Sequence, residues 1–266
     1  MESLALELAI DNVVDFNLRR YAEHSALVGN YLQRKYAANE AVYRQAAIGG
    51  NTSSTVTTAA EEDGLQPAHL PQWFDATRKI QSRIQSTYLQ CLLITGARRT
   101  ELARVRWTDV NFSEKSIMMQ NDETGIRTVP LTPYIEGHFV TLQNFKNKIL
   151  QQAAKNRTKL DEKQQLAAQY VFTSFNNPTG HIEPPINTHS AALTNAGLPA
   201  ISLSDIRRFF FNFCEWEGVP ENIVEQITGV TAYKPMRQAD DKTPFRTIKN
   251  WHDQVERRIL LQAGIE

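Results

Sequence analysis

Residues 49–60, GGNTSSTVTTAA, break the chain into two unequal parts. Small, polar and β-branched residues favour neither a helix nor a buried core, so this run reads as a flexible linker. Taken to its apolar boundary it spans 49–64, between a segment of residues 1–48 and a longer one of 65–266. The short segment reads as helix, with Leu4, Leu8, Val14 and Leu18 near helical spacing. A second helix runs from about Asn30 to Ala47, where Tyr31, Tyr36 and Tyr43 alternate with Arg34, Lys35 and Arg44. That face either stacks on nucleic acid or forms an aromatic core edge beside solvated charges, and both readings stay open. No internal repeat of about 20–50 residues recurs along the chain.

The long segment is patterned mostly as helix. Pro67–Lys79 opens with an early proline and carries Leu70, Trp73 and Phe74 on one side. Ile80–Thr95 continues, with Ile84, Tyr88, Cys91 and Leu92 at helical spacing, until Thr95-Gly96 ends it. A short helix is expected over Arg99–Arg106. Val110–Met119 and Arg127–Leu131 have strand character about a turn at Asp122–Gly125. Helix returns over Ile135–Asn156, Val171-Phe172 reads as a short buried strand, and Asn176–Pro185 as a loop. Ser204–Trp216 and Glu221–Thr228 are helices either side of Gly218-Val219-Pro220, and Phe245–Ala263 is an amphipathic helix with Ile248, Trp251, Val255 and Ile259 in one stripe. The expected fold class is α+β, mainly helical with a small antiparallel sheet.

Composition narrows the function classes. The 266 residues suffice for one large or two ordinary domains without disulfides or metals. Lysine plus arginine is 29 and aspartate plus glutamate is 29, so a binder relying on bulk positive charge is excluded, while a local basic face is not. Cys91 and Cys214 sit far apart in apolar runs and read as buried thiols of a reducing compartment. No apolar stretch approaches the roughly 18 residues of a membrane span. The leading MESLALELAIDNVVDF carries acids early and no basic leader, so a cytoplasmic protein is expected. The histidines His24, His69, His138, His181, His189 and His252 do not pair at ligand spacing, so neither a metal nor a cofactor is expected. Phosphate loops, dinucleotide fingerprints and nucleophile elbows have no counterpart here.

Arginines in structured places stand out instead. In TGARRTELARVRW, Arg98 and Arg99 follow a glycine turn and open a helix, where a guanidinium fork matches two phosphate oxygens. The competing reading pairs Arg98 with Glu101 as a surface cap. In LSDIRR, Arg207 and Arg208 precede Phe209-Phe210-Phe211, so an arginine is held near the core and needs an anionic partner. That partner is either a bound anion or an internal carboxylate such as Glu101. Ser204 either bonds a phosphate or caps the following helix.

In this order the motifs resemble the catalytic domain of tyrosine recombinases, the phage integrases. TGARRTELARVRWTDVNF is similar to the family's first arginine box, TGIRTVPLTPYI to its hairpin, and YVFTSFNNPTGHI to its V-F-x-S segment. SLSDIRRFFFNFCEWEGVPENIVEQITG resembles the second arginine box, and FRTIKNWHDQVERRILLQAGI the last helix of a prophage integrase group. The resemblance covers about residues 65–266 and implies the DNA breaking-rejoining fold, with 1–48 as a shortened core-binding-like region. It implies a metal-free chemistry in which a tyrosine attacks a DNA phosphate, two arginines stabilise the phosphoryl charge, and a hairpin lysine and a histidine move protons. Residue by residue, the arginines fall on Arg98 and Arg207 and the supporting acid on Glu101. The other positions depart from the pattern: Ser204 and Val230 stand where histidines are usual and Glu123 where the lysine is. The nucleophile is expected near Ala239, yet residues 234–250 contain no tyrosine, and the nearest is Tyr233.

These departures imply a DNA-binding family member that has lost strand transfer, a pseudoenzyme acting as repressor, accessory factor or modulator of recombination. Its phosphate contacts would be Arg98, Arg99, Arg104, Arg106, Ser204, Arg207 and Arg208 on double-stranded DNA. The alternative is an active recombinase with Tyr233, or a tyrosine of another protomer, as nucleophile. A third reading is a protein-interaction module with structural arginines. Further partners would be a second copy through the C-terminal helix, or an active integrase. The stripe of that helix packs either on such a partner or on its own domain.

Overall fold

Ser82 and Gly96 bound the helix around which the rest is built. The hydroxyl of Ser82 accepts from the Gln85 amide at 3.4 Å, and Gly96 closes the other end with φ 55°, a left-handed cap that glycine adopts without steric cost. A computed structural model describes residues 64–121, 125–155, 160–229 and 243–266. Its helices are α1 (Leu70–Arg78), α2 (Arg83–Thr95), α3 (Arg99–Ala103), α4 (Pro133–Lys155), α5 (Glu162–Ala167), α6 (Ile186–Ala196), α7 (Leu203–Trp216), α8 (Glu221–Thr228) and α9 (Phe245–Gln262). The strands β1 (Val110–Asn111), β2 (Ser116–Asn121) and β3 (Gly125–Pro130) form one antiparallel sheet in the order β1-β2-β3. The fold is thus mainly helical with a small antiparallel sheet, as the sequence pattern implies. Among the described residues no helix is long and apolar enough to cross a membrane.

From Ser86 to Thr95, α2 is buried on every side, the mark of a core helix. Tyr88 and Phe139 both meet the Phe172 ring edge-on, at 5.3 and 5.8 Å. Burying side chains of this size contributes about 1.5–3 kcal/mol each. Helices α1, α7 and α9 pack on α2, and α8 and α9 pack on β3. Ile248, Val255 and Ile259 of the C-terminal stripe are buried within their own domain, while Trp251 is half-buried. Most of this stripe is therefore an internal face of the domain. Two polar residues inside α9 hold it in place. The Glu256 carboxylate accepts from Tyr134 N at 2.9 Å and from the Thr132 hydroxyl, and His252 Nε2 donates to the Ile94 carbonyl at 2.9 Å.

Several local expectations are corrected. Ser82 interrupts the helix expected from Ile80, so α2 begins at Arg83. The helix expected to reach Arg106 ends at Ala103, because the backbone there turns to pair elsewhere: Trp107 N donates to Gln169 O and Val171 N to Val105 O, both at 2.9 Å. Val171 and Phe172 are buried as expected but make no strand, since only isolated bridges, Arg106 with Tyr170 and Thr173 with His181, form around them. Val110–Met119 is two strands. The Asn111 side chain accepts from Ser113 and Glu114 amides at 3.1 and 2.9 Å and folds a turn between β1 and β2, with Lys115 at φ 52°. Helices α5 and α6 were not expected. The first is announced by Asp161, which caps Gln164 N at 2.7 Å.

Candidate functional site

Three helix ends and one strand converge on a single carboxylate. At the end of α2, Thr95 Oγ1 donates to Cys91 O at 2.7 Å and accepts from Ala97 N at 3.2 Å, which shapes the turn into Arg98. Gly96 is required twice over: its φ is positive, and a Cβ there would lie 2.3 Å from the Phe210 ring. Arg98 then caps α3. Its backbone amide donates to Glu101 Oε2 at 3.1 Å, and its Nη1 reaches Glu101 Oε1 and Gly229 O, each at 3.4 Å. The pairing of Arg98 with Glu101 therefore exists, but it is long and single.

The close partner of Glu101 is Arg127 on β3. Its Nη1 and Nη2 grip the two carboxylate oxygens at 2.7 and 2.9 Å, a fork-on-carboxylate bond. Its Nε donates to Ile227 O at 3.0 Å. Sequence reasoning missed this residue, although parity could have found it. Arg127 shares its face of β3 with buried Val129, and Met119, its partner across the sheet, is buried too, whereas Ile126 points outward at 68% exposure. A cation in the inward register of a strand signals a buried anion.

Arg207 enters from α7. Ser202, not Ser204, caps that helix, accepting from Asp205 N at 3.1 Å, while Asp205 accepts from Ser202 N at 2.8 Å. Ser204 is exposed in the first turn. Buried Ile206, Phe209, Phe210 and Phe213 anchor the helix and leave Arg207 beside the half-buried Phe211, its guanidinium 5.1 Å from the ring centroid. Arg207 does not pair with Glu101, as one reading of the sequence had it. It donates to the carbonyls of Gly96 and, at 3.2 Å, Thr228. The carbonyls that face these arginines close the C-terminal ends of α2 and α8, where orphan acceptors and the helix dipole favour positive charge.

The electrostatics follow from this crowding. Burial pushes the Glu101 carboxyl up, but the hydrogen bonds and charge of Arg127, with help from Arg98, outweigh it and hold the group below the usual range. Burial, then the neighbouring Arg98 and Arg127, lower Arg207 to about 10 against the opposing pull of Glu101. It remains a cation at neutral pH. Three guanidiniums thus gather near one carboxylate. The Arg98 and Arg127 side chains are 27% and 12% exposed, so the cluster reaches solvent. Each guanidinium has five donors, and the two bonds of Arg207 leave others for a bound oxyanion.

The remaining expected residues lie apart from this network. Arg99 and Arg104 are exposed, and Arg208 is exposed and pairs with Asp205 at 2.6 Å. Arg106 lies over the Tyr170 ring at 5.2 Å and donates to its hydroxyl at 3.3 Å. Glu123, Val230, Tyr233 and Ala239 lie outside the described residues. Among the described residues no group of three histidines, cysteines or acids could hold a metal ion. Cys91 and Cys214 are buried free thiols, and burial pushes both above their usual range.

A mainly helical domain with one small antiparallel sheet in this order is the fold of a tyrosine recombinase catalytic domain. A solved structure, that of XerA recombinase, has this fold with a TM-score of 0.50 at 15% identity, over 75% of this chain and 64% of that one. Prophage integrase IntF of Escherichia coli strain K12 is 37% identical over 213 residues, which is 79% of this chain and 42% of the relative. The chain therefore spans less than half the length of that curated relative. No family model matches the chain. The chain belongs to the tyrosine recombinase, or phage integrase, family.

Proposed function

We propose that this chain binds double-stranded DNA through a backbone phosphate held at Arg98 and Arg207, and that it has lost strand transfer. In this reading it serves as a repressor, accessory factor or modulator of recombination. The observation that carries the phosphate site is the arginine cluster around Glu101, at a partly exposed face. A phosphodiester oxygen is the anion such forks fit. Arg99, Arg104, Arg106, Arg208 and Ser204 are the proposed outer contacts. The loss of chemistry is supported by what stands at the other family positions: Ser204, which is exposed, and Val230 for histidines, Glu123 for lysine, and no tyrosine over residues 234–250. A carboxylate at the lysine position would repel the phosphate, and without a nucleophile no covalent intermediate forms. The same reading assigns residues 65–266 as the catalytic-like domain, 49–64 as linker and 1–48 as a separate helical region, in a cytoplasmic protein.

The test is retention of fragmented genomic DNA of the source at about 0.1 M salt, where phosphate contacts are only partly screened, followed by sequencing. Enrichment of discrete sites is expected, with no covalent protein–DNA adduct on those fragments after denaturation. An adduct would overturn the loss of strand transfer. Absence of any retention would overturn DNA binding and make the arginines structural.

A further inference from the structure

Glu101 is a buried carboxylate between two arginines, and it does not treat them alike. Arg127 takes both of its oxygens at 2.7 and 2.9 Å, whereas the side chain of Arg98 meets one oxygen at 3.4 Å. We propose that Arg127 is a positioning residue: by satisfying Glu101 it keeps the Arg98 guanidinium from collapsing onto the carboxylate and holds it where a phosphate binds. This rests on the phosphate-binding reading above and names a residue that acts through Arg98 and does not touch DNA itself.

Three further observations support the role. Arg127 also donates to Ile227 O at 3.0 Å, so it fixes the end of α8 whose next carbonyls, Thr228 and Gly229, hold Arg207 and Arg98. Gly229 allows this approach, since a Cβ there would lie 2.9 Å from Arg127 Nη1. Arg127 is also less exposed than Arg98, 12% against 27% for the side chains, which puts it behind Arg98 as seen from solvent. Stripped of its fork, the buried carboxylate keeps only the Arg98 amide at 3.1 Å and the long Nη1 contact at 3.4 Å, and is left underpaired. Arg98, already at its edge, would be drawn in and lost to an external anion.

The experiment measures binding of the full chain to a short mixed-sequence DNA duplex by fluorescence anisotropy across a salt series. The proteins are wild type, Arg127→Gln, Glu101→Gln and the double variant Glu101→Gln/Arg127→Gln, each checked for folding by circular dichroism. Arg127→Gln is expected to bind about tenfold more weakly. Its log–log salt slope should shrink by about 0.9, the loss of one phosphate contact made by Arg98. The double variant removes the buried charge along with its fork, so affinity and slope should return toward wild type. A residue needed only for folding would not be rescued in this way. Wild-type binding by Arg127→Gln would overturn the proposal. So would equal loss in the single and double variants, which would make Arg127 a direct contact or a scaffold. If wild type itself does not bind, the phosphate-binding reading fails and the positioning role falls with it, a result distinct from failure in Arg127→Gln alone.

Discussion

Lowering the pH from 7 to 5 should strip this domain of much of its stability through three histidines. Burial lowers His138, His189 and His252 to about 4, against 6.5 for an unconstrained side chain. Geometry explains the resistance to protonation. His189 Nε2 accepts from Trp73 Nε1 at 2.9 Å, and an imidazolium cannot accept. His252 already donates from Nε2 to Ile94 O, and its Nδ1 is buried with no partner, as is Nε2 of His138. In the unfolded chain each group takes a proton near pH 6.5, while the fold resists until about pH 4, so stability is full above 6.5 and is lost as the pH falls between those values. At pH 5 each histidine costs about 2 kcal/mol and the three together roughly 6 kcal/mol. That is comparable with the 5–15 kcal/mol total of a typical domain. The interval from pH 7 to 5 lies above ordinary carboxylate titration, so acids such as Glu101 add their own loss only lower down. Urea unfolding at pH 7, 6 and 5, followed by tryptophan fluorescence, measures the change. His189→Gln, whose amide oxygen can still accept from Trp73, should shrink the loss by about a third. A total loss below about 2 kcal/mol, or no change in slope with His189→Gln, would refute the reasoning.

Gly96→Ala should destabilise by about 3 kcal/mol, combining a positive φ with overpacking against Phe210, and urea unfolding would read it. Glu256→Ala leaves the buried Thr132 hydroxyl and the Tyr134 amide without their acceptor and should cost about 3 kcal/mol by the same assay, whereas Glu256→Gln should cost less. Tyr233→Phe should leave DNA affinity and its salt dependence unchanged. A covalent adduct made by wild type and lost in Tyr233→Phe would restore that tyrosine as nucleophile.

Much of the architecture is legible because it depends on near neighbours in the chain. The helical spacing of Ile84, Tyr88, Cys91 and Leu92 announces α2, and the run Phe209-Phe210-Phe211 announces α7. Elements with weak periodicity are not legible in this way. In α6, INTHSAALTNA, only His189 and Leu193 are fully buried, so its pattern is faint. Val171-Phe172 is apolar enough for a strand, yet its pairing depends on where residues 105 and 182 pass.

The site divides along the same line. The order of the arginine boxes and the residues standing at the other family positions are properties of sequence alone, and they suffice to name the family. Sequence also offers Glu101 as a partner for either Arg98 or Arg207 without choosing. Tertiary structure makes that choice and gives the carboxylate to Arg127, 26 residues further on, because the pleat of β3 turns that cation inward beside α3. It gives Arg207 the carbonyls of two helix ends instead. Spacing along a helix fixes which side chains share a face, but which charges meet in a low-dielectric interior depends on how helices and strands pack, and no local pattern carries that information.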